Sequence, residues 1–411
     1  MHISILNILI EMTETTLDQQ LSARQFDDAK NAMLNGEKLS KNIQEHQKSS
    51  ILDNLIREKQ YEIINLMVKD KTIETDIYEL DSFDKSIFQS IVRNLGNEDA
   101  DISFFNELIT RFDNLNDEVN TQTLLGYLFE NGVDLAIIKA CIDAGCSTNF
   151  KNNADENYIH RVVKSNFRRY NLNDEQTTNL LKSYIDILVN EGVDINEGNI
   201  VAETPLITAI NFNKKNLITH LLEHGADPNH TDRTGKSAFF YVVANLQSEE
   251  IYDALRNFAA PQFDQLSKDR STLLFEYVRM MSNSEKGINF LKKLIEDGAD
   301  LYEGSEWYSR QVTPLDLIAE KDADILEAVL DIGQIDVNRP DDQGNTLLHN
   351  VCAYNVNYEA NKAKETYRKV KLLIENGADL TATNDKDQTA LMLASDDNLK
   401  IKTVELLMKN A

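Results

Sequence analysis

The chain has 411 residues, 42% of them hydrophobic and 8% aromatic. That is enough apolar side chain to fill a long core, and it excludes wholesale disorder. Against 42 Lys and Arg stand 68 Asp and Glu, a net charge of −26, which argues against nucleic acid or an anionic membrane as a partner and favours a basic one.

Residues 1–11 are apolar but lack the basic segment and small-residue cleavage site of a signal peptide. They are also too short to span a bilayer, and they read as a disordered tail or an artefact of start-codon choice. Leu21 to Leu34 reads as one amphipathic helix ended by Asn35-Gly36, a plausible N-terminal cap. Ser50 and Ser86 are then the expected openers of two degenerate units, at steps of 36 and 37 towards Thr123.

From there helix openers recur at Thr123, Asn157, Thr204, Ser237, Thr272, Thr313, Thr346 and Thr389, with intervals of 34, 47, 33, 35, 41, 33 and 43. The three long steps are a unit of 33–35 carrying insertions. Thr or Ser before a helix accepts from an N–H that has no partner inside it. Pro205 and Pro314 stand where their missing N–H costs nothing. Gly192, Gly225, Gly298 and Gly377 follow the second helices, where a left-handed residue ends the element.

Thr204-Pro205-Leu206, then Leu221-Leu222-Glu223-His224-Gly225-Ala226-Asp227-Pro228-Asn229, is the fullest copy. Thr346-Leu347-Leu348-His349, then Leu372-Leu373 and Gly377-Ala378-Asp379, is another. In these motifs the chain resembles the ankyrin repeat family. The resemblance implies an all-α solenoid of stacked helix pairs joined by short hairpin-like fingers. It covers residues 120–411, with 12–119 expected to be a helical cap and degenerate repeats. Copies that depart from the pattern include Phe258-Ala259-Ala260, where Gly-Ala is expected, and Asn157-Tyr158-Ile159-His160 for Thr-Pro-Leu-His.

Candidate chemistry is sparse. Gly235-Lys236-Ser237 lacks the earlier Gly of a phosphate loop, because His230 stands there. His220 and His224 are four apart on an expected helix, a conceivable zinc spacing, but no Glu follows His220 as a metalloprotease requires. The resemblance gives His before Gly-Ala to the scaffold, and it implies that His160 and His349 bond backbone between fingers. Cys141, Cys146 and Cys352 are too few for a disulfide framework and point to a reducing compartment. No catalytic residue, cofactor or metal ligand is assigned.

Binding is expected where the repeat is violated, because an insertion is not needed for stacking. The finger from Tyr302 to Gln311 is longer than the others and holds the chain's only Trp. Trp307, Tyr308 and Arg310 have the composition of a binding anchor. The polar rim of other fingers adds Asn229, His230, Asp232, Arg233, Arg339, Asp341, Asp342, Asn384, Asp385 and Asp387. Phe167, Arg168, Arg169 and Tyr170 form a basic-aromatic island and a candidate second edge. Asn355 to Arg368 is a comparable insertion.

The resulting expectation is a non-enzymatic, monomeric interaction scaffold that binds or masks a basic protein, without nucleic acid or membrane. The irregular repeats and the Asn, Ile, Lys and Asp bias suggest a bacterial cytoplasmic protein of antitoxin, immunity or regulator type. Alternatives are an effector secreted into a host cell and an enzyme with a catalytic region in residues 12–119.

Overall fold

A computed structural model describes residues 15–411, so the expected tail at 1–11 lies outside the described residues. The chain divides into two compact units. One holds the described residues up to Ile200 together with Asn216–Gly225, and the other holds Val201–Lys215 with Ala226–Ala411.

The first unit is a run of helix pairs. Leu17–Ser22 and Phe26–Leu34 are followed by Glu45–Arg57 with Tyr61–Lys69, and by Ile87–Asn94 with Asp99–Ile109. Leu124–Glu130 with Leu135–Asp143 and Tyr158–Lys164 with Asp174–Asn190 follow, and helix Lys215–Glu223, all but its first residue in this unit, completes it. Two expectations fail here. The stretch from Leu21 to Leu34 is broken into two helices, with Arg24 left-handed at φ 60°. Ser50 opens nothing, because its helix begins at Glu45 with Gln44 as cap. The apolar periodicity after Ser50 marks a helix, and that helix extends N-terminally through one polar turn, Glu45 to Ser49. Ser86 does cap its helix, accepting from the Phe88 N–H.

In the second unit Pro205–Asn211 comes first, then Ala238–Phe240, which runs on into a π-helical turn at Tyr241–Leu246, and Glu249–Arg256. Three more pairs follow: Leu273–Met280 with Glu285–Glu296, Pro314–Glu320 with Ala323–Leu330, and Leu347–Ala353 with Ala360–Glu375. Ala390–Ser395 and Ile401–Asn410 come last. Helices Leu273–Met280, Pro314–Glu320, Leu347–Ala353 and Ala390–Ser395 pack each on the next. The first three bury most of their side chains, with Leu348, Val351 and Cys352 fully enclosed, and Ala390–Ser395 buries Ala390 and Ala394. Burying one such aliphatic side chain contributes about 1.5–3 kcal/mol, which helices of seven or eight residues need because they are marginal alone.

The eight openers from Thr123 to Thr389 all stand directly before a helix. At every one but Thr346 the side chain accepts from the N–H three residues on. At Thr346 the hydroxyl and the N–H both meet His349 Nδ1, at 2.8 and 3.1 Å. The other ring nitrogen, Nε2, then donates to the Gln388 carbonyl at 3.0 Å, which lies in the next finger. The helix ending at Arg256 closes without a left-handed residue, because Phe258 stands where other second helices place a positive-φ glycine and its own φ is not positive.

Fingers are tied to one another through backbone bonds. In the second unit Arg233 donates to Val201, Lys268 to Thr234, Glu306 to Arg270 and Asp385 to Gln343, at 2.8–3.0 Å. In the first, Asp113 donates to Thr75 and Ile200 to Ala154. The Asn of the motif adds a second tie, because Asn229 and Asn338 donate side-chain N–H to the carbonyls of Ala260 and Gly377. Those carbonyls lie at helix ends and would otherwise lack a donor.

Two lysines do similar work inside the stack. Lys369, 1% exposed, donates to the carbonyls of Ala319 and Lys321 that end helix Pro314–Glu320. Lys400 donates to the Cys352 carbonyl at 2.7 Å, at the end of the following helix. Burial pushes the Lys369 ammonium down to about 8 from its ordinary 10.5. Between those values the unfolded chain holds a proton that the folded chain sheds, so stability gains with pH across the window. The stability of the natural chain relative to Lys369→Met should therefore rise by up to about 3 kcal/mol between about pH 8 and 10.5. Urea unfolding at stepped pH measures it, and a flat difference would contradict the burial of a charged amine.

Glycine separates two costs. Gly344 and Gly377 both have positive φ, 74° and 81°. A Cβ at Gly377 meets nothing, but at Gly344 it meets the Asp385 backbone nitrogen at 2.9 Å. Gly377→Ala should cost about 1 kcal/mol of left-handed strain, and Gly344→Ala distinctly more, about 2–4 kcal/mol, because the next finger must move away as well. Chemical denaturation of the two variants checks the order.

Candidate finger-edge binding surface

The long finger is a β-hairpin. Strands β1 (Ser305–Trp307) and β2 (Arg310–Val312) pair antiparallel, with Trp307 opposite Arg310. The turn residues Tyr308 and Ser309 both have positive φ, 48° and 60°. A two-residue hairpin of this hand is usually made by Asn-Gly, so a tyrosine at its tip is held in a conformation that costs about 1–2 kcal/mol.

Trp307 does not project. Its ring lies 5.9 Å from the Phe275 ring and 4.9 Å from the Arg279 guanidinium, both on helix Leu273–Met280. Phe275 and Arg279 are four apart and so share one face of that helix. Tyr308 leans edge-on against Trp307 at 4.9 Å and remains 85% exposed. Arg310 is exposed on the neighbouring strand. The tryptophan is thus the footing of the finger, and Tyr308 with Arg310 form its outward surface.

Towards the preceding finger the hairpin is fixed by the Glu306-to-Arg270 backbone bond and by the Arg270–Glu306 ion pair at 3.4 Å. Towards the following finger the contact runs through Tyr302. Its hydroxyl accepts from the Asp336 N–H at 3.0 Å, and its ring carries the Arg339 guanidinium at 4.1 Å. Between these two fingers opens a cleft of about 750 Å³. Arg310, Gln311 and Glu303 line one wall, and Arg339, Pro340 and Asp342 the other.

The rim residues divide into two kinds. Asp232 is 7% exposed, and its carboxylate accepts from Tyr241 Oη at 2.5 Å and from the backbone of Thr234 and Lys236. Burial alone would raise its pKa, but these donors outweigh it and hold the carboxyl below its ordinary value. Asn384, 8% exposed, accepts from the Lys386 and Gln388 N–H groups and donates to Asn345. Asp341 holds its own finger in the same way, through the N–H groups of Gln343 and Asn345. Asn229 is committed to the Ala260 carbonyl, and His230 is half-buried beside it. Arg233, Asp342, Asp385 and Asp387 are exposed at the rim, and Arg339, also exposed, lies over the Tyr302 ring.

The second edge divides likewise. Arg169 reaches inward, donating to the carbonyls of Gly132 and Val92. Phe167 covers Gly132 so closely that a Cβ there would strike its ring at 2.3 Å. Only Arg168 and Tyr170, the latter 97% exposed, face outward. In the insertion at Asn355 to Arg368 the extra residues lengthen the second helix to Ala360–Glu375. The histidines read as scaffold all have partners. His160 Nδ1 meets Asn157 Oδ1 at 2.9 Å, within its own helix start. His220 and His224 both meet Asp186, 34 residues before His220. Sequence reasoning did not single out Asp186, Tyr302, Arg270 or Arg279, although stepping one period back from His220 lands on Asp186.

Residues 203–233 match the family model of the ankyrin repeat. They form an ankyrin repeat. The openers, the finger bonds and the paired helices around that copy are ankyrin-type architecture, and among the described residues the fold is all-α apart from the short hairpin. Among solved structures, the crystal structure of the ankyrin repeat domain of Bcl-3, described as a unique member of the IkappaB protein family, is similar over 60% of this chain and 97% of its own. Identity there is 21% and the TM-score 0.47. No curated protein matches the chain. Among the described residues no helix is long and apolar enough to cross a membrane.

The split between footing and tip is testable. Trp307→Ala should lower stability by about 2–3 kcal/mol, since a half-buried indole loses its ring contacts. Tyr308→Ala should change it by no more than about 0.5 kcal/mol. Denaturation midpoints report both, and equal effects would mean that Trp307 is not the footing.

Proposed function

We propose that this ankyrin chain is a non-enzymatic, monomeric scaffold that captures a basic protein on the finger edge between residues 302 and 345. One observation carries the reading: the exposed Tyr308, held in a strained turn over an indole footing, beside a polar cleft. Strain kept in a loop tip is a pointer to function, because packing alone would have replaced it with Asn-Gly. A rigid tyrosine contributes large contact area at little entropic cost.

Charge supports the class of partner. Arg270 is engaged by Glu306, and Arg339 is stacked on Tyr302, which leaves Glu303 and Asp342 as exposed carboxylates on the two walls. The surplus of 26 negative charges over the whole chain steers cations towards it. Residues 15–119 contain paired helices with filled cores, such as Leu55, Ile64, Phe88 and Phe105, each fully buried, which favours a packing role over a catalytic one. Within this reading the protein is a cytoplasmic masking or regulatory partner, of the kind found in bacterial toxin control.

Affinity capture from native lysate with the full chain, with captured proteins identified at low and high salt, tests the proposal. A basic protein should be recovered, should be lost at high salt as screening grows, and should be lost with Tyr308→Ala combined with Asp342→Lys. Recovery of an acidic protein, or of a partner indifferent to both changes, would refute it.

A further inference from the structure

The second unassigned feature is a cluster in the first unit. Asp186 lies on helix Asp174–Asn190, and His220 and His224 lie at the end of helix Lys215–Glu223. His220 Nε2 is 2.7 Å and His224 Nε2 2.8 Å from the same oxygen, Asp186 Oδ1. The two rings are 4.6 Å apart and nearly perpendicular. One ligand atom from each of the three residues lies within 4.8 Å of the others.

We propose that Asp186, His220 and His224 form a binding site for a divalent transition-metal ion, with zinc as the best match. Two imidazole nitrogens and one carboxylate oxygen are a borderline donor set that suits zinc, cobalt or nickel and disfavours magnesium and calcium. The spacing of the histidines places both on one helix face, and the carboxylate comes from the second helix one repeat earlier.

The geometry needs little rearrangement. Metal–nitrogen and metal–oxygen bonds of about 2.1 Å put tetrahedral ligands about 3.4 Å apart. The present separations of 2.7 and 2.8 Å must therefore open by roughly 0.6–0.7 Å. These side chains can do so, being 43% exposed at Asp186, 31% at His224 and 14% at His220.

Proton balance is simple. Without metal, Asp186 Oδ1 accepts an N–H from each Nε2. On binding, each Nε2 presents its lone pair instead, and the ring proton of a neutral imidazole resides on Nδ1. For His220 that nitrogen lies 3.8 Å from Glu223 Oε2, beyond hydrogen-bond distance but near enough for the exposed glutamate to swing in and accept from it. The fourth position opens to solvent, where water or a carboxylate of a partner can complete the shell. The bound ion then braces two second helices one period apart.

Zinc titration of the tag-free full chain by calorimetry, in reducing buffer, tests the site. A single zinc ion should bind, and cobalt should give the visible absorption bands of a four-coordinate site. His224→Gln and Asp186→Asn should each weaken binding by at least about 10–100-fold, while His46→Gln, exposed on another helix, should leave it unchanged. Zinc should also raise the melting midpoint of the natural chain but not of Asp186→Asn, whose circular dichroism should match. Absence of zinc binding at micromolar concentration would overturn the proposal. So would binding that survives both substitutions, or displacement of zinc by calcium.

Discussion

The constraint on which the rest depends is the satisfaction of backbone groups at the ends of very short helices. A helix of seven residues leaves more main-chain groups unpaired than it pairs, so a stack of such helices stands only if something outside each helix supplies partners. Here the opener hydroxyl supplies the first. The next finger supplies another, through bonds such as Lys268 to Thr234 and Asp385 to Gln343. Asn229 and Asn338 bridge from finger to helix end, and Lys369 and Lys400 reach carbonyls that no finger can reach. Within each unit every repeat thus completes its neighbour.

That mutual completion explains why so much of the architecture was legible in the sequence. The eight openers were found to the residue because Thr, Ser or Asn before an apolar run has one physical job. The finger glycines were found because a left-handed residue ends the second helix. The first hundred residues were harder. There the helices are capped by Gln44 and Glu98, residue types that also populate helix interiors, so Ser50 looked like a boundary and was not. Arg24 breaks a helix in left-handed conformation with no glycine or proline to announce it.

The candidate surface was legible in outline and not in detail. Composition drew attention to Trp307, yet only packing against Phe275 and Arg279 shows it to be a footing. Polar finger residues look alike in a sequence. Asp232 and Asn384 turn out to be consumed by N–H groups of their own loops, while Asp342 and Asp385 are exposed. The difference lies in position within the turn: the residue that opens the finger accepts from its backbone, and those at the tip are spared. Arg169 was misread for a similar reason, since a guanidinium that caps helix-end carbonyls has the same letter as one that faces a partner. Asp186 was missed because nothing in its own neighbourhood is unusual, and only the period connects it to His220.

The central claim is that the finger bonds hold the scaffold and thereby hold the hairpin at Tyr308 in place. Native-state hydrogen exchange of the amides of Arg233, Lys268, Glu306 and Asp385 tests it most directly. The account predicts that these loop amides are protected together with the helices of their repeats and exchange only when those repeats open. Exchange of the four at the rate of unstructured loops, while the helices stay protected, would contradict it.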